Sequence, residues 1–349
     1  MKVNFWKDKT VLLTGHTGFK GSWLSILLHH FGANVIGVSL EPNKDSSLFS
    51  QAEVNKLCNH NICDIRDLGK LQEIVCNTKI DIVFHLAAQS LVRKSYMEPI
   101  ETFDVNVNGT ANILELIAGL EHIRVGIFAT TDKVYQNLES GIPFRETDRL
   151  GGHDPYSSSK AASELVIDSY CKSFFTSRDI AISSVRAGNV IGGGDWSRDR
   201  ILPDAVRAWD ANKSVKIRSP NSIRPWQHVL DCLYGYMLLA EKLWDDRLLQ
   251  GPYNFGPTKG DNLNVLEIIQ HAAKIYETDK VTVETGNFPH EAGFLSLDVT
   301  KAHKILNYIP KWNALEAIHR SARWYKDFSQ GFDALGLCKK DIQEHQASK

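Results

Sequence analysis

The 349-residue sequence lacks the features that mark secreted, metal-binding or membrane proteins. Its six cysteines contain no C-x-x-C pair, which argues against a disulfide framework or a zinc site and favours reduced thiols in a cytosol. Its 13 histidines contain no H-x-x-x-H or H-E-x-x-H pair, so we expect no metal. No apolar run is long enough to span a bilayer, and the N-terminal MKVNFWKDKTVLLTG lacks the features of a signal peptide.

Neither sign of charge is in excess. The 40 Lys and Arg residues balance 41 Asp and Glu residues, and the formal net charge of −1 argues against a nucleic acid or an anionic membrane as partner. Hydrophobic residues make up 43% and charged residues 23%, as is typical of a soluble globular protein with a large core. We therefore expect a cytoplasmic protein with no nucleic-acid or membrane partner.

Short β-branched runs alternate with helical patterns through the first half of the chain. The predicted strands are 9–15, 34–40, 60–65, 79–88, 124–131 and 180–188, and the predicted helices are 21–32, 67–78 and a long stretch near 98–120. Such alternation predicts a parallel sheet covered by helices on both faces. The predicted fold class is α/β, with a Rossmann-type doubly wound parallel sheet and a smaller C-terminal α/β substrate domain.

The composition of the sequence changes after Gly188. NVIGGGDWSRDR is polar and rich in glycine, and ILPDAVRAWDAN then predicts a helix. The segment GPYNFGP is predicted to add one more strand to the first sheet. We therefore predict a dinucleotide-binding domain formed by residues 1–185 and about 225–256. Residues of about 186–224 and 257–349 would form the second, substrate-binding domain.

The motif TGHTGFKG places Gly15, Gly18 and Gly21 between the first predicted strand and the first predicted helix. Glycines there permit a tight turn and let backbone N–H groups approach a pyrophosphate at the helix N-terminus. The spacing is G-x-x-G-x-x-G, not the usual G-x-G-x-x-G. Because a strand precedes it and a helix follows, the motif predicts dinucleotide binding rather than a simple turn.

Two carboxylates stand where the adenosine half of a dinucleotide would lie. Glu41, after the second strand, could bind the ribose hydroxyls, and the lack of a nearby arginine favours NAD. A solvated loop position for Glu41 is an equal alternative. Asp64 ends the third strand and could accept a hydrogen bond from the adenine amino group, whereas helix capping by Asp64 or Asp67 is the competing interpretation.

Polar residues follow the fifth predicted strand in ATTDKVY. Thr131, Asp132 and Lys133 supply a hydroxyl, an acid and an amine at consecutive positions. Ligands bind outside the carboxyl ends of the strands in open α/β sheets. This position favours a functional role over an ordinary surface turn.

HDPYSSSKAASELV, residues 153–166, predicts a helix start. Asp154 is the expected cap and Pro155 suits the first helical position. Tyr156 and Lys160 are four residues apart and share a face, although an ordinary amphipathic helix has the same pattern. An ammonium about 5 Å from a phenolate contributes roughly 3 kcal/mol at an effective dielectric of ~20. Lys160 would therefore favour the phenolate, and the family resemblance described next implies that Tyr156 acts as a base whose pKa is lowered by Lys160 together with a nicotinamide ring.

Together these motifs resemble the extended short-chain dehydrogenase/reductase family, which carries T-G-x-x-G-x-x-G and Y-x-x-x-K. The resemblance covers nearly the whole chain and includes HLAAQSLVRKSY, TDKVY, GGHDPYSSSKAASEL, SVRAGNVIGGGDW, SIRPWQHVL and YNFGP. Within the family the sequence is most similar to the dehydratases of CDP-linked sugars, because dTDP- and GDP-sugar dehydratases typically carry glutamate where Lys133 stands. The resemblance implies CDP-glucose as substrate, a CDP-4-keto-6-deoxyglucose product, and a tightly bound NAD that carries hydride from C4 to C6.

The resemblance also implies roles for individual residues. Tyr156 would take the proton of the C4 hydroxyl, and Thr131 would hydrogen-bond the C4 oxygen. Asp132 would protonate the departing C6 hydroxyl, while Lys160 would hold the nicotinamide ribose. Lys133 would take the C5 proton as a neutral amine, or stabilise the enolate while another group moves the proton.

The other candidate residues surround these catalytic ones. The further candidates for cofactor binding are Gly15, Thr17, Gly18, Phe19, Lys20, Gly21, Glu41, Asp64, Ile65, Leu86, Ala87, Ala88, Asn106 and Thr130. The candidates for binding the nucleotide sugar are Gln89, Ser90, Asn189, Arg224, Trp226 and His228. Asn189 and Arg224 are assigned to the diphosphate, whereas core packing explains the tryptophan equally well.

Two other functions compete with dehydration of CDP-glucose. One is 4-epimerisation, or dehydration of a different nucleotide sugar, and the other is a non-catalytic NAD-binding scaffold. Asp132 favours elimination because an epimerase needs no acid for a C6 hydroxyl, and an activated tyrosine has no use in a scaffold. The resemblance further implies a homodimer or homotetramer, and a place in deoxysugar biosynthesis for lipopolysaccharide O-antigen.

Overall fold

A seven-stranded parallel sheet forms the centre of the computed structural model, which describes residues 2, 4–43, 46–258, 260–261, 263–284 and 293–348. Its strands are β1 (Thr10–Thr14), β2 (Asn34–Ser39), β3 (Asn59–Ile62), β4 (Ile82–His85), β5 (Val125–Ala129), β6 (Ala181–Ala187) and β11 (Tyr253–Phe255). The strands in other, two-stranded pairs are β7 (Val190–Ile191), β8 (Val215–Ile217), β9 (Ile223–Arg224), β10 (Gln227–His228), β12 (Leu263–Asn264) and β13 (Val281–Val283). The spatial order β11-β6-β5-β4-β1-β2-β3 confirms the predicted doubly wound fold class.

Helices cover both faces of this sheet and build the C-terminal part. They are α1 (Phe19–His30), α2 (Leu48–Gln51), α3 (Leu68–Val75), α4 (Val92–Met97), α5 (Pro99–Phe103), α6 (Gly109–Gly119), α7 (Pro155–Tyr170), α8 (Ile201–Asp210), α9 (Val229–Asp245), α10 (Val265–Ile275), α11 (Ala314–Ser329) and α12 (Ala334–Ala347). Among the residues described, no helix combines the length and the apolar character that a membrane crossing requires.

Both faces of the central strands β1, β4 and β5 are buried, which explains their apolar runs. In β1, Val11 and Leu13 enter one hydrophobic core, while Leu12 points into the core on the opposite face. All three side chains are fully buried. Two covered faces are the arrangement expected of a parallel sheet.

Most predicted elements are present with shorter bounds. The long helix predicted near 98–120 consists of α5, a π-helical segment at Asp104–Asn108, and α6. The strand predicted from GPYNFGP is β11, which pairs in parallel with β6, so this prediction is confirmed. The two-domain division stays a prediction, and the larger hydrophobic core includes side chains of both proposed parts. All six cysteines lie in the described residues and are free thiols.

The sheet creates one crevice by the order of its strands. The chain runs outward from β1 through β2 to β3, and then returns to the other side of β1 as β4. The strand order therefore reverses between β1 and β4, and ligands of open α/β sheets bind at such a point, beyond the carboxyl ends of the strands.

Replacing Asp341 by asparagine should make the folded protein more stable above pH 7. Burial raises the pKa of Asp341 in α12 to about 7, and its Oδ2 atom has no hydrogen-bond partner within the described part of the chain. A carboxyl whose pKa is higher in the folded state than in the unfolded state increasingly destabilises the folded protein as pH rises from about 4 to about 7. We expect the Asp341→Asn protein to gain up to about 4 kcal/mol at pH 8, since each pKa unit is worth about 1.4 kcal/mol.

Denaturant unfolding at pH 5 and pH 8 measures this effect. The exposed Asp279→Asn substitution is the control for loss of one carboxylate. An Asp341→Asn protein whose stability relative to the parent is the same at both pH values would contradict the prediction.

Candidate active site

The glycine-rich loop lies at the reversal point of the sheet. Gly15 follows β1 with a φ of +80°, and a Cβ atom there would lie 2.7 Å from the backbone nitrogen of Ala87, just after β4. A Cβ at Gly21 would collide with the carbonyl oxygen of Gly15. Gly18 is the N-cap of α1 and, as a glycine, has no side chain that could cap this helix N-terminus. The loop therefore presents backbone N–H groups and a helix N-terminus, as a pyrophosphate site requires.

Two side chains attach this loop to the neighbouring strands. The hydroxyl of Thr17 is 2.7 Å from that of Ser39 and donates to the carbonyl oxygen of Leu40 at 3.0 Å. His16 is fully buried, and its Nε2 atom is 2.6 Å from Nδ1 of His60 in β3. Burial and the charge of His60 lower the pKa of His16 to about 4. The imidazole of His16 is therefore neutral at pH 7 and acts in packing.

The helix that carries Tyr156 begins as its sequence predicts. Asp154 caps α7 by accepting the backbone N–H of Ser157 at 3.0 Å, and Pro155 is the first helical residue. Tyr156 and Lys160 are both buried. The Lys160 ammonium crosses to the sheet and donates to the carbonyl oxygen of Ala129, the last residue of β5, at 3.0 Å. This contact places Tyr156 and Lys160 beside the end of β5.

A single 3₁₀ turn, Asp132–Val134, follows β5 and carries the other catalytic candidates. Oδ1 of Asp132 accepts the Thr131 hydroxyl at 3.0 Å and the Lys133 ammonium at 3.1 Å. Oδ2 of Asp132 is buried and has no hydrogen-bond partner among the described residues. The structure thus brings hydroxyl, carboxylate and amine together, with one carboxylate oxygen left to exchange a proton.

Three basic side chains, those of Lys20, Lys160 and Arg200, lie in one region around Tyr156. Burial and the charge of Lys20 lower the pKa of Lys160, and the charge of Arg200 acts to lower the pKa of both Lys20 and Tyr156. Nη1 of Arg200 pairs with Oδ2 of Asp195 at 3.0 Å, which raises the pKa of Arg200. Positive charge of this kind suits ligands that carry phosphates.

Two of the predicted binding residues, Asn106 and Gln89, support the loops that line the crevice. The Asn106 side chain accepts from the backbone N–H of Gln89 at 2.9 Å, and donates to the Gln89 carbonyl at 3.0 Å and to Ser159 of α7 at 2.9 Å. The buried Gln89 side chain donates to Thr102 at 2.9 Å and accepts from the N–H of Leu91. These bonds hold the segment after β4 against α7.

The two carboxylates predicted near adenosine differ in their surroundings. Glu41 is exposed in the loop after β2. Asp64 forms an ion pair with Arg66 at 2.6 Å, and the pKa of Asp64 is lowered mainly by hydrogen bonds from Arg66. Asp67, the alternative capping residue, caps α3 by accepting the N–H of Lys70 at 3.0 Å. The ion pair gives Asp64 a structural role that the sequence analysis did not predict, and the adenosine contacts of Glu41 and Asp64 stay predictions.

Two candidates for substrate binding lie in the core. The Trp226 indole is buried and donates to the carbonyl oxygen of Leu263 at 3.0 Å. His228 is fully buried, and its Nδ1 atom accepts the N–H of Leu230 at the start of α9. Packing and capping therefore involve both side chains, and their contact with the substrate stays a prediction.

The remaining candidates occupy varied positions. Ser90 is exposed, while Phe19, Leu86, Ala88 and Asn189 are partly exposed. The side chain of Ile65 is buried against Gly109 of α6, and Arg224 is buried in β9, where it donates to the carbonyl oxygen of Ile223 at 2.9 Å.

Comparison with known proteins identifies the family to which this chain belongs. The sequence profile of the GDP-mannose 4,6 dehydratase family matches residues 12–321. The CDP-glucose 4,6-dehydratase of Salmonella typhimurium is 42% identical over 99% of this chain and 98% of its own length. The chain belongs to the GDP-mannose 4,6 dehydratase family. A UDP-glucose 4-epimerase of Oryza sativa is more distant, at 26% identity over 95% of this chain and 86% of that protein.

Solved structures share the fold of this dehydratase family member. The dTDP-glucose 4,6-dehydratase of Bacillus anthracis, crystallised with NAD, has a TM-score of 0.78 at 20% identity and covers 94% of this chain and 99% of its own. The epimerase Mth375 of Methanothermobacter thermautotrophicus has a TM-score of 0.81 at 24% identity, covering 97% and 96%. These likenesses confirm the predicted fold class.

The lowering of the Tyr156 pKa that is expected from Lys160 together with a nicotinamide ring stays a prediction for this dehydratase family member. In the protein chain by itself, burial raises the pKa of Tyr156 to about 12. A hydrogen bond with Thr131 and the charge of Arg200 oppose burial without overcoming it. Burial and the charge of Lys20 also lower the pKa of Lys160 to about 7. The phenol is therefore neutral at pH 7, because removing a phenolate from water costs more than its neighbours return.

Sequence reasoning missed three side chains near this dehydratase site. Asp195 lies in SVRAGNVIGGGDW, a segment that carried the resemblance without giving Asp195 a role, and Arg200 lies four residues beyond the end of that segment. Glu164 is the third, and its spacing of four residues from Lys160 was a signal that it faces the sheet beside Lys160.

Proposed function

We propose that this protein is a CDP-glucose 4,6-dehydratase, a hydro-lyase that converts CDP-D-glucose into CDP-4-keto-6-deoxy-D-glucose. The main support is the 42% identity over 99% of the chain with the Salmonella typhimurium enzyme. The grouping of Thr131, Asp132 and Lys133 beside the helix of Tyr156 supports the same reaction. We place the protein in the cytoplasm and in deoxysugar biosynthesis for lipopolysaccharide O-antigen.

The glycine-rich loop fits an NAD cofactor. Side chains at Gly15 and Gly21 would collide with backbone, so the loop keeps its N–H groups accessible to a pyrophosphate. Lys160 would hold the nicotinamide ribose, Glu41 the adenosine ribose, and the segment from Leu86 to Ala88 one side of the crevice. NAD bound there supplies a hydride acceptor for C4 and a hydride donor for C6.

The chain's own residues would move the protons. Tyr156 takes the proton of the C4 hydroxyl while Thr131 hydrogen-bonds the C4 oxygen, and the resulting ketone makes the C5 hydrogen acidic. Lys133 either removes the C5 proton or stabilises the enolate. Asp132 donates a proton to the C6 hydroxyl, so that the C6–O bond breaks and water leaves. The balance is one water lost and no net oxidation, which requires no external reductant.

Binding of the sugar nucleotide is assigned to residues around the crevice. Arg224 and Asn189 would contact the diphosphate, because a guanidinium forms charge-assisted bonds with phosphate oxygens. Gln89 and Ser90 would lie near the hexose. The three cations around Tyr156 add to the attraction for two phosphorylated ligands.

A panel of nucleotide sugars tests the function. The protein is incubated with CDP-, UDP-, dTDP- or GDP-glucose without added reductant, and the products are separated and identified by mass spectrometry. We expect a 4-keto-6-deoxy product from CDP-glucose in preference to the others. CDP-galactose as product would indicate an epimerase. Unchanged CDP-glucose together with turnover of another nucleotide sugar would show that the substrate carries a different nucleobase. Binding of NAD without any turnover would indicate a scaffold.

We also propose that the protein is a homodimer or homotetramer that associates through α4, α5 and α7. Met97 and Ile100 are 74% and 84% exposed on α4 and α5, and Leu165 is exposed on neighbouring α7. Exposed apolar surface of this kind typically marks a protein interface.

Ile100→Lys is expected to produce monomers, because a charged side chain would have to be buried in the interface. Light scattering after size-exclusion chromatography measures the mass. Leu248→Lys is the control, since Leu248 is 83% exposed on a different surface turn. An Ile100→Lys protein with the mass of the parent would contradict this interface.

A further inference from the structure

Glu164 lies on the same face of α7 as the two residues of the Y-x-x-x-K motif. It follows Lys160 by one helical turn and Tyr156 by two, since residues four apart lie one above the other. All three side chains are at least nine-tenths buried. None of the proposed catalytic steps uses Glu164, so its burial requires another explanation.

The Glu164 carboxylate accepts four hydrogen bonds. Oε1 accepts the Thr130 hydroxyl at 2.5 Å and Nε of Arg186 at 2.9 Å, while Oε2 accepts the Ser184 hydroxyl at 2.6 Å and Nη2 of Arg186 at 2.8 Å. Burial opposes ionisation, but these bonds and the charge of Arg186 prevail and lower the pKa of Glu164. The carboxylate is therefore a satisfied anion inside the protein.

The donors connect α7 to the strand end that carries the catalytic turn. Thr130 immediately precedes Thr131, and Ala129 before it accepts the Lys160 ammonium. Two consecutive residues at the end of β5 are thus bonded to two consecutive turns of α7. This double connection sets the position of Tyr156 relative to Thr131.

Arg186 extends the connection to the other end of the catalytic turn. Its Nη1 atom donates to the Tyr135 hydroxyl at 2.9 Å and to the carbonyl oxygen of Glu146 at 3.1 Å. The Tyr135 hydroxyl donates in turn to Oδ1 of Asn254 in β11 at 2.6 Å. The turn Asp132–Val134 is therefore anchored on one side through Thr130 and on the other through Tyr135.

We propose that Glu164, paired with Arg186, is a positioning residue that holds the Asp132–Val134 turn against Tyr156 in the arrangement needed for elimination. The inference rests on the proposed dehydratase function. Glu164 also affects Lys160 directly. Burial and the charge of Lys20 lower the pKa of Lys160, whereas the charge of Glu164 raises it.

The first test replaces Glu164 by glutamine. A displacement of about 1 Å costs on the order of a hundredfold in rate, so we expect kcat with CDP-glucose to fall at least about tenfold while KM changes less than about threefold. Without the charge of Glu164, Lys160 loses its proton at lower pH. The decline of kcat at high pH should therefore begin at lower pH than in the parent, a shift that a purely structural role would not produce.

A second measurement needs no turnover. Hydrogen–deuterium exchange of peptides covering residues 129–135 should be faster in Glu164→Gln than in the parent. If that protein does not fold, the double variant Glu164→Leu with Arg186→Met takes its place, because replacing a buried ion pair by apolar side chains is often tolerated. It should fold with fast exchange in the same peptides and low kcat.

Two adjacent serines of β6 provide a matched pair. Ser184 donates to Glu164, whereas the hydroxyl of its neighbour Ser183 accepts the N–H of Gly251 at 3.1 Å, and both are buried. We expect Ser184→Ala to lower kcat and to speed exchange in residues 129–135, and Ser183→Ala to do neither.

The outcomes separate the two proposals. If the parent protein gives no product from CDP-glucose, the proposed function fails, and the exchange measurement still decides whether Glu164 anchors the turn. If the parent is active but Glu164→Gln keeps its kcat, its high-pH decline and its slow exchange, the positioning role is overturned. Equal behaviour of Ser183→Ala and Ser184→Ala would overturn it as well.

Discussion

Replacing Tyr156 by phenylalanine should lower kcat by about 10²–10⁴-fold, the usual contribution of a general base. The substitution removes only the hydroxyl and leaves the ring, which is 8% exposed, in its packing site. Binding of NAD and the unfolding midpoint should therefore change little. Product formation from CDP-glucose, calorimetric titration with NAD and thermal unfolding measure the three quantities.

Tyr170→Phe is the control for Tyr156→Phe, because Tyr170 lies at the other end of the same helix and contacts Glu115 at 3.3 Å, far along the chain from the motif. It should turn over at the parental rate. A Tyr156→Phe protein with kcat within about threefold of the parent would remove Tyr156 from the role of base and leave Lys160 or another group to take the C4 proton.

Replacing Asp132 by asparagine should separate two halves of the reaction. Asp132 is the proposed donor to the C6 hydroxyl, and its Oδ2 atom is buried with no hydrogen-bond partner in the described residues. An amide cannot donate the proton that a departing hydroxyl needs, so release of the 4-keto-6-deoxy product should fall by about 10²–10⁴-fold. Oxidation at C4 does not need Asp132, and the C5 hydrogen should still exchange with solvent.

The reaction in D₂O distinguishes these steps. We expect CDP-glucose recovered from the Asp132→Asn reaction to carry deuterium at C5, detected by mass spectrometry, with little product formed. Asp168→Asn, an exposed carboxylate of α7 paired with Lys172, is the control and should form product normally. Full product formation by Asp132→Asn would show that another group protonates the C6 hydroxyl.

The features that the sequence predicted correctly are local or periodic. The cap Asp154, the first-turn Pro155 and the shared face of Tyr156 and Lys160 depend only on neighbouring residues. The central strands β1, β4 and β5 were recognisable because both of their faces are buried, so that their sequences are mainly apolar. Their bounds were too wide where apolar residues continue past the last ladder bond, as in β4.

The features that the sequence did not predict depend on distant residues. Glu164 and Arg186 form an ion pair only because α7 packs against β5 and β6. No sequence pattern within either segment predicts this pair. The high pKa of Tyr156 follows from burial, which the spacing of Tyr156 and Lys160 does not reveal. The burial of Trp226 and His228 in the core also depends on distant residues, and their predicted contacts with the substrate stay untested.

The late position of β11 in the chain has a consequence for synthesis on the ribosome. The first six strands of the sheet are complete at Ala187, but their outer neighbour begins only at Tyr253. Until then β6 is an open edge, which can pair with another nascent chain. Asn254 arrives with this strand and accepts the Tyr135 hydroxyl. The polypeptide must therefore add more than sixty residues after β6 before the catalytic turn gains its last anchor.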